Sequence, residues 1–196
     1  MEEEKHDAVE EKEQEYFNIY IYPHKALRTK AVEIAPFDTS PHWLKVEIQE
    51  IINKMIETMY RAEGLGLAAT QVGLHESILV YDTEQIKGER HPAVLINPRL
   101  VEFSGETISE QEGCLSVIGY RADVKRYESI VVEGIGRGGM PMRVEADGRL
   151  AITLQHELDH LNGKLFIDHL SKLKRDMYTR KLKKALRRHR GADDGY

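Results

Sequence analysis

The 196-residue chain holds one cysteine, one tryptophan, four phenylalanines and six prolines. A single thiol excludes an intrachain disulfide framework, so Cys114 is structural, catalytic or metal-bound. No apolar run approaches the roughly 18 residues needed to cross a bilayer, which excludes a membrane-spanning helix. The opening stretch MEEEKHDAVEEKEQE lacks both the apolar core of a secretory signal and the arginine-rich, acid-poor character of a transit peptide. These absences lead us to expect a cytoplasmic location and no membrane partner. The glycine-rich segment at 63–73 has no G-x-G-x-x-G and no Lys-Ser/Thr, so a nucleotide cradle is not expected there.

What is present is 41% hydrophobic and 31% charged, enough to bury the core of one ordinary domain. The net charge of -5 is unevenly placed. Residues 1–15 carry a local net of -6, whereas Leu170 to Arg190 holds ten basic residues against Asp176. We expect an acidic, solvated extension over 1–16, a catalytic domain over 17–168 and a basic helix and tail over 169–196. In that last segment Leu170, Leu173, Met177, Leu182 and Leu186 recur at helical spacing. They predict an amphipathic helix with one stripe on the body and its positive face toward solvent, where RNA is the cytoplasmic polyanion it suits; DNA is not expected.

Between the ends, Ser40-Pro41 reads as a helix start, with Leu44, Ile48, Ile51, Met55 and Met59 as the apolar stripe and Gly64 as the stop. Short β-rich runs follow at 78–82, 93–97, 129–134 and 142–146. From Gly148 the helical period returns, with Leu150, Leu154, Leu158 and Leu161 on one face and Gly163 just past its end. The pattern predicts an α+β single domain with short antiparallel sheets around a central helix.

The chemistry sits in three segments. QHELDH places His156 and His160 four residues apart, so both imidazoles leave one helix face toward a common cation, with Glu157 beside them. Two histidines leave a metal site incomplete. Asp168 and His169 lie where a zincin-type endopeptidase draws its third ligand, and Cys114, in EGCLS, 42 residues before His156, is the other candidate. A silent protein with a structural metal that binds RNA or nascent chains is a third reading. The third segment, EGLGLAATQVG at 63–73, offers Gln71 as the polar side chain able both to donate and to accept, although an exposed loop glutamine is the simpler reading.

Taken together, GLGLAATQ at 64–71, EGCLS at 112–116 and QHELDH at 155–160 resemble, in order and spacing, the three signature motifs of the bacterial-type peptide deformylases. The likeness runs over about residues 19–187. It implies Cys114, His156 and His160 as metal ligands and Glu157 as the acid/base. Gln71 and the Leu115 backbone N–H become donors to a developing oxyanion. By the same resemblance a methionine side chain enters a pocket near Leu65, Gly66, Leu115, Ile152 and His156, Arg121 assists the substrate, and the native metal is Fe(II), with zinc compatible. The implied substrate is an N-formylmethionyl peptide, and the basic tail is similar to one that contacts the ribosome. One departure is Val117-Ile118-Gly119, where the family commonly has proline at the middle position; losing it frees φ and restores an N–H donor.

Overall fold

The computed structural model describes residues 15–35, 46–84 and 89–193, with side chains as far as 184. Among the described residues three α-helices, α1 (Val46–Arg61), α2 (Gly148–Leu161) and α3 (Lys172–Asp193), accompany seven strands. These are β1 (Gly66–Ala68), β2 (Ile78–Tyr81), β3 (Ala93–Ser104), β4 (Thr107–Cys114), β5 (Val117–Arg126), β6 (Ser129–Ile135) and β7 (Pro141–Asp147). A five-stranded antiparallel sheet has the order β1-β2-β3-β6-β7, and β4 pairs with β5 in a separate two-stranded sheet. This is the expected α+β arrangement.

The large sheet is covered on both faces, which explains why β2 reads as the unbroken apolar run ILVY. Its Leu79 and Tyr81 point with Leu95 and Val132 toward Ala151, Leu154, Leu158 and Leu161 of α2. The alternate residues Ile78 and Val80 join Ile96 and the α1 residues Ile52, Met55 and Met59 on the other face. Helix α2 is therefore the central helix, pressed onto the sheet by its leucine stripe. Asn162 caps its end, and Gly163 follows with φ +69, a left-handed position where an added Cβ would lie 2.7 Å from the Arg28 carbonyl oxygen.

Three sequence expectations need correction. Strand β3 runs to Ser104 rather than stopping near 97, because its second half is held by the β6 ladder although its side chains are exposed. The β4–β5 hairpin was not anticipated, since its polar residues and its two register shifts obscure any alternation. On α3 the packed residues are Tyr178 and Leu182, while Leu173 and Met177 are 67% and 61% exposed. Tyr178 takes the anchoring place because its ring stacks on Tyr120 at 4.6 Å and is buried against Phe166 and Val117. The proposed helix start at Ser40-Pro41, Leu44 and the acidic run over 1–14 lie outside the described residues.

Candidate active site

Helix α2 turns two imidazoles toward the end of β4. The His156 and His160 Nε2 atoms are 3.2 Å apart, and Cys114 Sγ lies 3.1 Å from His160 Nε2. All three donor atoms fall within 4.8 Å of one another, and among the described residues they are the cluster suited to a cation. Cys114 is brought there by the tight turn between β4 and β5, where it pairs with Val117 and receives the Ser116 N–H on its sulfur at 3.3 Å. Asp168 and His169, the endopeptidase alternative, are committed elsewhere: Asp168 pairs with Arg28, and His169 Nε2 contacts Asp159 at 2.7 Å. The third candidate ligand is therefore the thiol.

Two residues with no sequence-derived role, Glu112 and Arg126, hold this arrangement. Glu112 Oε1 accepts from His156 Nδ1 at 2.7 Å, and Arg126 grips the same carboxylate through Nη2 at 2.6 Å and Nε at 3.1 Å. The third arm of Arg126, Nη1, reaches Asp159 at 2.7 Å. Burial opposes charge on Glu112, but hydrogen bonds from His156 and Arg126 outweigh it and hold the carboxyl down at about 2. An ionised Glu112 can only accept, so His156 carries its proton on Nδ1 and presents a lone pair at Nε2. The signal available in the sequence was the i, i+2 relation of Glu112 to Cys114, which favours one side of a strand; nothing marked Arg126.

Electrostatics favour a single positive charge at the junction: a proton on His156 Nε2, or in its place a cation bound to the lone pair of that atom. Burial works against protonating either ring, yet the Cys114 sulfur and Glu112 hold the proton affinity of His156 well above the usual imidazole range. Burial together with the charge on His156 pushes that of His160 well below. Two nitrogen lone pairs and a sulfur at these separations fit a tetrahedral divalent ion, whose bonds to nitrogen and thiolate are about 2.1 and 2.3 Å, with a fourth position left for water or substrate.

Beside this cluster, Glu157 is 4% exposed, and its Oε2 has no hydrogen-bond partner among the described residues. Burial, reinforced by Glu112 and opposed by His156, pushes its carboxyl up to about 7. Gly66 makes room for it: a Cβ there would meet Glu157 Oε1 at 2.6 Å and Cγ at 2.8 Å. Gln71 is not an exposed loop residue. It is 1% exposed, its Oε1 accepting from the Ala68 N–H at 2.8 Å and its Nε2 lying 3.2 Å from Ser116 Oγ and 3.8 Å from Cys114 Sγ. That anchoring points the amide donor at the sulfur.

A cavity of about 480 Å³ opens onto these groups. Its walls include Leu65, Gly66, Gln71, Cys114, Leu115, Arg121, Ile152, His156 and Glu157, whereas His160 lies behind the lining, 1% exposed. The fold thus brings together the residues that the family resemblance implied and leaves Asp168 and His169 outside the cleft. A second cavity of about 550 Å³ is lined in part by Arg126 and Asp159 and by none of Cys114, His156, Glu157 and His160.

Comparison with known proteins agrees with this geometry. The sequence profile of the family described as "Polypeptide deformylase" matches residues 16–176. The peptide deformylase of Xylella fastidiosa is 48% identical over 167 residues, covering 85% of this chain and 94% of the relative. That of Alkalilimnicola ehrlichii is 44% identical, covering 88% and 92%. Among solved structures, a peptide deformylase from Legionella pneumophila superposes with a TM-score of 0.76 at 42% identity, covering 89% of this chain and 97% of the other. One from Ehrlichia chaffeensis in complex with actinonin gives 0.76 at 38%, covering 88% and 98%. With its motifs folded into one cleft, and with relatives this similar across nearly their whole length, the chain belongs to the polypeptide deformylase family.

Proposed function

We propose that this chain removes the formyl group from the N-terminus of nascent polypeptides at the cleft between α2 and the β4–β5 turn, with Glu157 as its acid/base. The observation that carries the assignment is a buried carboxyl held near 7 immediately beside the Cys114–His156–His160 cluster. Such a group can both take and return a proton at neutral pH. When bound by Cys114, His156 and His160, a divalent cation supplies Lewis acidity and lowers the pKa of water toward neutrality. Glu157 accepts the proton from the attacking water while its oxygen bonds to the formyl carbon. The Gln71 amide and the Leu115 N–H donate to the oxygen that gains charge. As the carbon–nitrogen bond breaks, Glu157 hands the proton to the departing amine, leaving formate and a free N-terminus.

Selectivity follows from size. A formyl carbon bears only hydrogen, so a narrow approach past Gly66 and Leu115 admits it and turns away larger acyl groups. Leu65 and Ile152 offer the methionine side chain an apolar wall, and Arg121 at the rim faces the peptide beyond it. Replacing Gly66 by alanine drives the new methyl into Glu157. We expect this variant to lose at least tenfold in kcat while retaining its metal, as measured by formate release and metal content.

For the cation we favour Fe(II), with zinc as the alternative that the same soft donor set accepts. Aerobic preparation then inactivates the protein, by oxidation of the metal or of Cys114, and anaerobic purification preserves it. Formate release from formyl-Met-Ala-Ser, with metal content determined on the same sample, tests the whole reading. Metal-loaded protein that releases no formate, or that cuts unformylated internal bonds, overturns it.

The basic face of α3 is proposed to contact ribosomal RNA, which places the enzyme in the cytoplasm where formylated chains emerge. Because Tyr178 and Leu182 anchor this helix to the body, truncation would disturb the core. Reversal of the exposed Lys181, Lys183 and Lys184 to glutamate is the cleaner variant. It is expected to weaken ribosome cosedimentation at least tenfold and flatten its salt dependence, with peptide turnover unaltered.

A further inference from the structure

Arg149 lies in the first turn of α2, and Ile152 and His156 follow it at three and seven residues on the same helix face. All three line the catalytic cleft. At 1.5 Å per residue, Arg149 stands about 10 Å along the axis from His156. An extended peptide advances about 3.3 Å per residue. A chain whose formyl group lies at His156 and Glu157, with its methionine against Ile152, therefore meets Arg149 with its second or third side chain.

Local structure does not account for a cation at this position. Arg149 is exposed and has neither a hydrogen bond nor an ion pair among the described residues. In the first turn of a helix its charge opposes the helix dipole, so it does not serve helix stability. Arg121, on β5, adds a second guanidinium to the same rim, held by the Gln111 carbonyl oxygen at 3.1 Å. The acids lining the cleft are Glu63, Glu112 and Glu157; the last two are buried, and Glu112 is neutralised by Arg126. The exposed charge of the rim is two guanidinium groups against the Glu63 carboxylate.

We propose that Arg149 is a specificity-determining residue, which favours formylmethionyl chains with an acidic side chain at the second or third position over chains with lysine there. This rests on the deformylase reading and extends it beyond the methionine pocket. The contact is solvent-exposed, so the expected discrimination is modest, about fivefold in kcat/KM.

The test uses metal-loaded enzyme and C-terminally amidated peptides, which removes the terminal carboxylate as a competing anion. The peptides are formyl-Met-Ala-Ser and its aspartate and lysine versions at the second and third positions. At low ionic strength, aspartate is expected to exceed lysine about fivefold at one of the two positions, and the ratio is expected to fall toward one in 0.5 M salt. Arg149→Gln reduces the ratio below twofold, and Arg149→Glu inverts it. Each ratio is taken within one preparation, so partial misfolding of a variant does not imitate the effect. A wild-type ratio within twofold of one at both positions, or a ratio that survives in both variants, overturns the proposal. Turnover of the neutral peptide reports separately on the deformylase reading, and its absence overturns both.

Discussion

Replacing Glu157 by glutamine is expected to lower formate release by at least 10²- to 10⁴-fold while metal content stays that of the parent protein. The amide keeps the shape of the side chain but neither accepts the water proton nor returns one to the amine. Stability is expected to move the other way. Burial raises the Glu157 carboxyl from an ordinary 4.5 to about 7, so the fold is most stable with this group neutral, and that contribution is lost as pH climbs through this interval. A permanently neutral glutamine escapes the loss, and the variant should melt no lower than the parent above pH 7. Thermal melts across pH 5 to 8, run beside activity and metal analysis, check both halves. Full activity in metal-loaded Glu157→Gln would remove Glu157 from the mechanism.

Arg126→Met is expected to be the most destabilising substitution near the site, by about 3–5 kcal/mol in urea unfolding. Arg126 is 6% exposed and pairs with both Glu112 and Asp159, so a thioether leaves the buried Glu112 and the half-buried Asp159 with only their histidine partners, His156 and His169. The loss passes to the cluster through the 2.7 Å bond from His156 to Glu112, which fixes the imidazole tautomer, and metal affinity should drop about 10- to 100-fold. Arg126→Lys should fall between the two, because an ammonium supplies the charge but not the fork that meets Glu112 and Asp159 together. The pH profile carries the same information. Glu112 is depressed from 4.5 to about 2, so its contribution is present above pH 4.5 and disappears as pH falls toward 2. That interval corresponds to about 3 kcal/mol. Without Arg126 the carboxyl rises and the acid limb begins at higher pH. Metal titrations and acid unfolding curves that match the parent would show that the ion network does not support the site.

Parts of the site were readable because they are local. His156 and His160 share a face through helical period alone, and the leucine stripe of the same segment announced which side of α2 would be buried. Gly163 likewise marked the helix end from its neighbours. Cys114 differs: spacing identified it only as one of two possible completions, and the choice rested on three motifs occurring in order. The turn after β4 favours it by placing the sulfur 3.1 Å from His160 Nε2. For Gln71 its own segment favoured a loop residue and only the family resemblance singled it out, because the partner that turns its amide into the site, Ser116, lies 45 residues away. The α3 stripe failed for a related reason. A helix this rich in lysine offers two plausible apolar lines, and the position of Tyr120 on β5 selects the one through Tyr178.

By itself the sequence determined the helix that carries HExxH, the lone thiol as a candidate ligand, the α+β class and the opposite charges of the two ends, since each depends on composition or on residues a few positions apart. Tertiary structure alone decided that Glu112 and Arg126 brace His156, that Gly66 yields its side-chain space to Glu157, and that Arg149 stands at the mouth of the cleft without a partner among the described residues. Those facts arise from strand register, bulges and the docking of α2 on the sheet, where residues distant in the chain meet at hydrogen-bond range. Burial there pushes the Glu157 carboxyl up to about 7, whereas at Glu112 the hydrogen bonds from His156 and Arg126 overcome the same burial and draw it down to about 2, two carboxyls in one cleft with opposite behaviour.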